Sequence, residues 1–303
     1  MSSNHHHMHN HSESNTSATR LFITMALNFL ITLFEIIGGI LSGSLSLISD
    51  ALHNFSDGIA ILISYIAIKL GARPVTEQYT FGLKRAEIFA AVINSGTLIA
   101  ICLYLFKEAY NRLTTPEPIS GGMMIIVASI GLLANVIGAA LLRKGSQKNI
   151  NIRSAYLHLI SDVASSVAVI IGGIFIYFYS IYWIDPLLTV LISIWVLKES
   201  FEILKDATNV LMMGTPKNAS MVNIQKELEA VKGVKNIHHV HIWRLNEQTI
   251  HFEAHIEVDE MSVSETTKLG IIIEEKLNKK YQINHVTLQF ECDKCDPKTL
   301  ISS

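Results

Sequence analysis

The chain has 303 residues, of which 50% are hydrophobic and only 17% are charged, and its mean hydropathy is +0.36. These values are high for a soluble protein of this length, so they predict a membrane protein. The formal charge of −2 gives no electrostatic reason to expect nucleic-acid binding, and the three cysteines predict no disulfide framework.

Residues 1–18 form a polar tail that we predict to be disordered. Its histidines are His5, His6, His7, His9 and His11. An engineered tag is one explanation of this run, but the interruptions by Met8 and Asn10 argue against it. Weak capture of zinc by the tail is the interpretation that we favour.

Six apolar stretches follow within residues 19–203, each close to the length that a helix needs to cross a bilayer. They lie near residues 21–41, 45–70, 86–106, 123–142, 155–179 and 186–203. Lys and Arg are concentrated in the connections after the second and fourth stretches. Positive residues mark the cytoplasmic side of a membrane protein, so both ends of the chain are predicted to face the cytoplasm.

The apolar character ends after the sixth stretch. We predict a linker over residues 204–215, a soluble cytoplasmic domain over residues 216–295 and a short tail at residues 296–303. In the soluble domain an amphipathic segment precedes two alternating segments, a second helical segment and a last strand. The order α-β-β-α-β predicts a ferredoxin-like α+β fold whose helices cover one face of the sheet.

Alternation along the predicted strands places several histidines on the face that the helices leave open. These residues are His239, His241, His251 and His255. They would be available to a metal ion, to a second copy of the chain, or to both. Solvated polar side chains on an open sheet are the alternative.

The most informative feature is the string Leu-His-x-x-Ser-Asp, which occurs at residues 52–57 and again at residues 157–162. One copy lies in the second apolar stretch and the other in the fifth. On a helix, His and Asp four residues apart share a face. Two imidazoles and two carboxylates complete a tetrahedral shell for Zn²⁺. The four predicted ligands are His53, Asp57, His158 and Asp162.

The cost of burying charge supports a metal site at this position. An ionised carboxylate at the middle of a bilayer costs roughly 2.5–3.5 kcal/mol, and neither stretch offers a Lys or Arg at that depth. A divalent cation or bound protons must therefore neutralise the pair. A hydrogen bond that only stabilises the helix would explain one His–Asp pair, but the duplication favours a shared site.

Three further acidic residues in or next to the apolar stretches are interpreted differently. Asp50 lies on the same helical face as His53, and we interpret it as a partner of that histidine or as a charge on the entrance path. Glu35 and Glu87 are interpreted as entrance or packing residues.

Together these features resemble the cation diffusion facilitator family over about residues 18–295, and within it the bacterial zinc exporters. The segments that carry the resemblance are Gly43-Ser44-Leu45, Ser49-Asp50-Ala51, Phe81-Gly82 and His238-His239-Val240-His241-Ile242-Trp243.

The resemblance implies a homodimer in which the His2Asp2 set is the transport site, with His53 favouring zinc. It also implies that His238, His255 and Glu291 bind zinc in the cytoplasmic domain. Of these, strand alternation independently selects only His255. Cys292 and Cys295 could hold a metal together with a histidine of the tail, as in some members of the family.

Charge balance predicts how such a site would work. With Zn²⁺ bound, a site of two carboxylates and two neutral imidazoles has no net charge. An empty, deprotonated site would instead hold two negative charges. Protons should therefore replace the metal when it leaves. We therefore expect a zinc–proton antiporter with alternating access, in a bacterial inner membrane. The spacing of the four ligands does not exclude Cd²⁺, Co²⁺ or Ni²⁺ as further substrates.

Three other functions stay open at this point. A membrane-bound zinc sensor or a passive metal channel would need the same ligands. An intramembrane metalloprotease is disfavoured because the sequence has no His-Glu-x-x-His and because four protein ligands leave no position for water. We therefore expect no enzymatic activity.

Overall fold

The structure is a computed structural model that describes residues 11–71, 73–143, 150–217, 219–246, 248–292 and 299–300. Residues 1–10, with most of the predicted histidine tail, lie outside this part, as does Cys295. The chain divides into two compact units, one of Met1–Leu62 with Asn94–Glu202 and one of Ile63–Ile93 with Ile203–Ser303.

Six long helices correspond to the six apolar stretches. They are α1 (His11–Ser42), α2 (Leu45–Gly71), α3 (Ala86–Thr114), α4 (Gly121–Leu142), α5 (Ile150–Tyr179) and α6 (Ile184–Leu211). Among the described residues, three helices are long and apolar enough to cross a membrane, namely α3, α4 and residues 156–179 of α5. The other three spans remain predictions from the sequence.

Two predicted boundaries differ from the structure. Helix α1 already begins at His11, so residues 11–18 are helical where the sequence predicts disorder. Helix α6 continues to Leu211, so residues 204–211 are helical where the sequence predicts a linker. In both places hydropathy marks where the apolar run ends, whereas the backbone hydrogen-bond ladder continues through polar residues.

Close helix packing in the first unit depends on glycines. A Cβ atom at Gly131 of α4 would lie 1.8 Å from Oε1 of Glu35 on α1, and a Cβ atom at Gly38 would lie 2.5 Å from Cγ2 of Val127. Small residues allow membrane helices to approach in this way. The Glu35 side chain is completely buried and lies beside Gly131 of α4.

The N-terminus of α2 is held by Asp185, in the first turn of α6. Its carboxylate accepts hydrogen bonds from the hydroxyls of Ser44 and Ser46, both at 2.6 Å, and from the backbone N–H groups of Leu45 and Ser46 at 2.8 and 3.1 Å. The first N–H groups of a helix have no partner within the helix, and a negative charge is favourable beside them. Asp185 therefore ties α6 to the start of the helix that carries His53.

The second unit contains the predicted α-β-β-α-β domain, which the structure confirms. Its elements are α7 (Met221–Glu229), β1 (Asn236–Arg244), β2 (Ile250–Glu257), α8 (Val263–Tyr281) and β3 (His285–Glu291). The strand order is β1-β2-β3, with β1 antiparallel and β3 parallel to β2. Leu228 of α7 and Ile273 of α8 share one buried core with the inward-facing strand residues, so both helices cover the same face.

Strand β1 contains a bulge that changes its alternation. The register with β2 shifts between His238 and His241, and His239 has a φ of 55°. The backbone N–H groups of His239 and Val240 donate instead to the carbonyls of Thr299 and Leu300, at 3.2 and 2.9 Å. Because a bulge inserts one extra residue, the side chains on its two sides no longer follow a single period of two.

The fold predicts that Gly131→Ala destabilises the protein. The new Cβ atom must displace the buried carboxylate of Glu35, and overpacking of this kind typically costs about 1–3 kcal/mol. Gly96→Ala on α3 is the matched control, because a Cβ atom at Gly96 meets nothing within 4 Å. Thermal unfolding in detergent should show a lower midpoint for the first variant and an equal or higher one for the second. An unchanged midpoint for Gly131→Ala would contradict the packing described here.

Candidate metal centre

Helices α2 and α5 bring three of the four predicted transport ligands together. Ligand atoms of His53, His158 and Asp162 all lie within 4.8 Å of one another. Nε2 of His158 is 3.6 Å from Oδ2 of Asp162, one helical turn further along α5. The His53 and His158 rings lie 6.0 Å apart, at an interplanar angle of 73°. This spacing leaves room for one ion between the side chains.

The fourth predicted ligand, Asp57, lies in α2 four residues after His53. Its side chain is outside the described residues, so its participation stays a prediction. The helical period nevertheless places positions 53 and 57 on the same side of α2.

The buried carboxylate at this position favours a bound cation or proton. Asp162 is only 2% exposed, whereas the His158 side chain is 36% exposed. A buried carboxylate requires a compensating charge, a proton or several hydrogen bonds. Two imidazoles with one or two carboxylates suit Zn²⁺, because Mg²⁺ and Ca²⁺ prefer oxygen ligands and Cu(I) prefers sulfur.

Asp50 links the two helices that carry the ligands. It lies one turn before His53, is 2% exposed and accepts a hydrogen bond from the hydroxyl of Ser165, three residues after Asp162. Neither Asp50 nor Glu35 belongs to the group of ligand atoms that the described residues form around His53. The structure thus gives Asp50 a contact with α5 that the sequence did not indicate. Glu87 lies in the first turn of α3, also outside that group.

A second cluster lies on the open face of the cytoplasmic sheet. Ligand atoms of His238, His255 and Glu291 lie within 4.8 Å of one another. Oε1 of Glu291 is 3.0 Å from Nδ1 of His255, and Oε2 is 3.4 Å from Nε2 of His238. The β1 bulge explains why His238 joins this group although simple alternation selected His239. The cluster can hold a metal ion with two nitrogen ligands and one oxygen ligand.

Neighbouring side chains orient the ligands of this second cluster. Oδ1 of Asn236 lies 3.1 Å from Nδ1 of His238, which leaves Nε2 facing Glu291. Nε2 of Gln289 donates to Oε1 of Glu291 at 2.6 Å. Such outer hydrogen bonds fix the rotamers of metal ligands. No sequence pattern predicts either contact.

The other histidines of the open face do not enter the cluster. The ring of His239 stacks on that of His255 at 4.7 Å, and His241 is exposed. His251 is 4% exposed and packs against Trp243 and His285. Burial lowers the pKa of His251, and the nearby His285, Lys84 and Arg85 lower it further, which favours the neutral ring.

The C-x-x-C pair is not brought to the cluster by any described contact. Cys292 follows Glu291 directly, but its thiol is exposed and free. It is not among the metal-binding groups that the described part of the chain forms. Cys295 lies outside that part, so a role for the pair stays a prediction.

Comparison with known proteins assigns both parts of the chain. Residues 21–212 match the cation efflux transmembrane domain, and residues 216–292 match the cytoplasmic domain of cation efflux proteins. Metal cation efflux system protein CzcD of Cupriavidus metallidurans is 36% identical over 290 residues, which cover 96% of this chain and 91% of the relative.

Two further relatives span almost the whole chain. The cadmium, cobalt and zinc/H(+)-K(+) antiporter of Bacillus subtilis is 38% identical over 94% of this chain and 92% of its own length. Zinc transporter ZitB of Escherichia coli is 35% identical over 97% of this chain and 94% of its own length. The chain therefore belongs to the cation efflux family, the cation diffusion facilitators, and is a membrane transporter rather than an enzyme.

Proposed function

We propose that this protein exports Zn²⁺ from the cytoplasm in exchange for protons, through a transport site formed by His53, Asp57, His158 and Asp162. The observation that carries the proposal is the convergence of His53 with His158 and Asp162 from two different helices. Relatives named for zinc and for cadmium, cobalt and zinc support this substrate class. Zinc is the substrate that we assign first, because imidazole and carboxylate ligands in a tetrahedral set suit it best.

Protons are the counter-ion that the chemistry of the site favours. Zn²⁺ cancels the charge of two carboxylates, so its departure would leave a costly double negative charge away from water. Imidazole gains a proton near neutral pH, and protonation competes directly with metal binding. Proton uptake after zinc release therefore returns the site to a state of low charge. The name of the Bacillus subtilis relative, an antiporter involving H⁺, agrees with this exchange.

The helices that carry the ligands suggest how access alternates. His53 is on α2 and His158 and Asp162 are on α5, so a small relative movement of these helices would change both the ligand geometry and the side open to water. We infer that both chain ends face the cytoplasm of a bacterial inner membrane, because Lys and Arg residues of the loops between the six helices lie in the connections after α2 and α4.

The second cluster is proposed to be a regulatory zinc site in a homodimer. His238, His255 and Glu291 lie on the sheet face that the helices do not cover, and the His255 side chain, which is 18% exposed, is the one that a second copy could contact. Zinc bound there would neutralise Glu291, which is 5% exposed, and would stabilise the open face. Cytoplasmic zinc could in this way favour the dimer.

Loss of a transport ligand should abolish zinc flux. In proteoliposomes, Asp162→Asn and His158→Ala should each lower zinc uptake by at least about 100-fold. Mutating a residue that only hydrogen-bonds to a metal ligand already lowers metal affinity or activity by about 10–100-fold, and loss of a ligand itself should cost more. His241→Ala is the control, since this exposed histidine lies outside both clusters. Normal transport by either ligand variant, with folding verified by gel filtration, would refute the assignment.

Exchange with protons should appear as a dependence on the pH difference across the membrane. Zinc uptake into vesicles should accelerate when the interior is made more acidic than the outside, and the interior should become more alkaline as zinc enters. A passive channel would instead carry zinc at a rate that ignores the imposed gradient. A sensor would show zinc binding without any flux.

The cytoplasmic site should be separable from transport. Glu291→Gln in the full chain should lower the zinc bound per protomer by one ion at equilibrium, measured by dialysis and elemental analysis. His241→Ala should leave that number unchanged, because this exposed side chain lies outside the cluster. At saturating zinc the Glu291→Gln variant should still transport. An unchanged zinc content in Glu291→Gln would rule out a metal site there.

A further inference from the structure

The second unit contains a cavity of about 760 Å³ that the transport mechanism does not use. The end of α2, the α2–α3 connection and the first turns of α3 form most of its wall, and β1 and β2 of the cytoplasmic domain close it. Most of its lining side chains are apolar, including Ile63, Ile66, Leu70, Phe81, Phe89 and Trp243. Neither cluster of metal-binding side chains lines it.

The position of this cavity suits contact with lipid. Its wall is built from the second and third predicted spans, at the end next to the cytoplasmic domain. Several of its apolar side chains are open to the outside, with Ile66 49%, Phe89 55% and Ile93 62% exposed. In a membrane protein such side chains face acyl chains. The volume also falls within the range of about 300–1,000 Å³ that ligand cavities usually have.

One part of the wall is basic. Arg85 lines the cavity, and its Nε atom is buried without a hydrogen-bond acceptor among the described residues. Lys84 precedes it, and both cations are close enough to lower the pKa of His251, another lining residue. A buried guanidinium N–H without an acceptor is costly, so this donor is suited to an acceptor that arrives from outside the chain.

The two properties together define one kind of ligand. The apolar walls favour a hydrocarbon chain, because they lose contact with water when it binds. The guanidinium group favours a phosphate oxygen, with which it forms charge-assisted hydrogen bonds. Basic pockets between membrane helices on the cytoplasmic side are suited to anionic lipid head groups.

We propose that this cavity is a binding site for one anionic phospholipid, whose acyl chain lies along Ile66 and Phe89 and whose phosphate is held by Arg85. The site lies where the α2–α3 connection contacts the cytoplasmic domain, since the ring of Phe81 packs on that of His251 at 5.3 Å. A bound lipid would therefore contact both the end of α2, the helix that carries His53, and the cytoplasmic sheet.

The test is native mass spectrometry of the full-length protein after removal of lipid in detergent. The protein is titrated with phosphatidylglycerol and with phosphatidylcholine that carry the same acyl chains. We expect one phosphatidylglycerol per protomer to bind more tightly than any phosphatidylcholine. Arg85→Gln should weaken this binding at least about tenfold, because it removes a charge-assisted hydrogen bond, and should remove the preference for the anionic lipid.

Matched variants separate the site from general attraction to basic loops. Arg73→Gln removes an exposed cation of the same connection that does not line the cavity, and it should change binding less than about twofold. Arg85→Lys should retain the preference for the anionic lipid. Ala90→Phe, which fills the cavity from α3, should weaken binding of both lipids.

Three results would overturn the proposal. Equal binding of the two lipids to the unmodified protein would show that no anionic site exists. Equal losses for Arg73→Gln and Arg85→Gln would show attraction by the loop as a whole. A loss of dimer instead of lipid in Ala90→Phe would show that a second copy of the chain occupies the cavity.

Discussion

A carboxylate away from water cannot stay charged without a partner, and the arrangement of α2 and α5 follows from that constraint. Asp162 is almost completely buried, and imidazole nitrogens of His158 on its own helix and of His53 on α2 lie within 4.8 Å of its carboxylate. In the proposed site a divalent metal ion would contact all of them, and its charge would offset Asp162 together with Asp57. After release of the ion, the same constraint would favour bound protons. Metal binding and proton binding are thus two solutions of a single electrostatic problem.

The rest of the helical unit holds the ligand-bearing helices in place. The carboxylate of Asp185 fixes the start of α2, because it accepts hydrogen bonds from the backbone N–H groups of Leu45 and Ser46. The hydrogen bond from Ser165 to Asp50 joins α5 to α2 one turn from the ligands. Glycines such as Gly131 let α1 and α4 pack closely enough to bury Glu35. These are short-range contacts between rigid helices, so a displacement of one helix changes the distances between the ligands directly. This coupling suits a site that has to alternate between binding and release.

The sequence predicted those features that follow from the regular period of one helix or one strand. The repeat of His and Asp at four-residue spacing predicted that His53, His158 and Asp162 meet, and alternation predicted the core-facing sides of β2 and β3. It was uninformative where a contact joins distant segments. No local pattern indicates that Asp185 accepts hydrogen bonds from Ser44 and Ser46, or that Thr299 pairs with the bulge at His239. The bulge in β1 interrupts the alternation of side chains, so a strict period of two does not select His238.

We propose that His53, Asp57, His158 and Asp162 share one zinc ion. X-ray absorption at the zinc edge tests it most directly, on full-length Glu291→Gln protein loaded with one zinc per protomer, so that the cytoplasmic cluster does not contribute. The spectrum should show four nitrogen or oxygen ligands at about 2.0–2.2 Å, with the multiple scattering of two imidazoles and no sulfur. A sulfur shell near 2.3 Å, or fewer than two imidazoles, would contradict it.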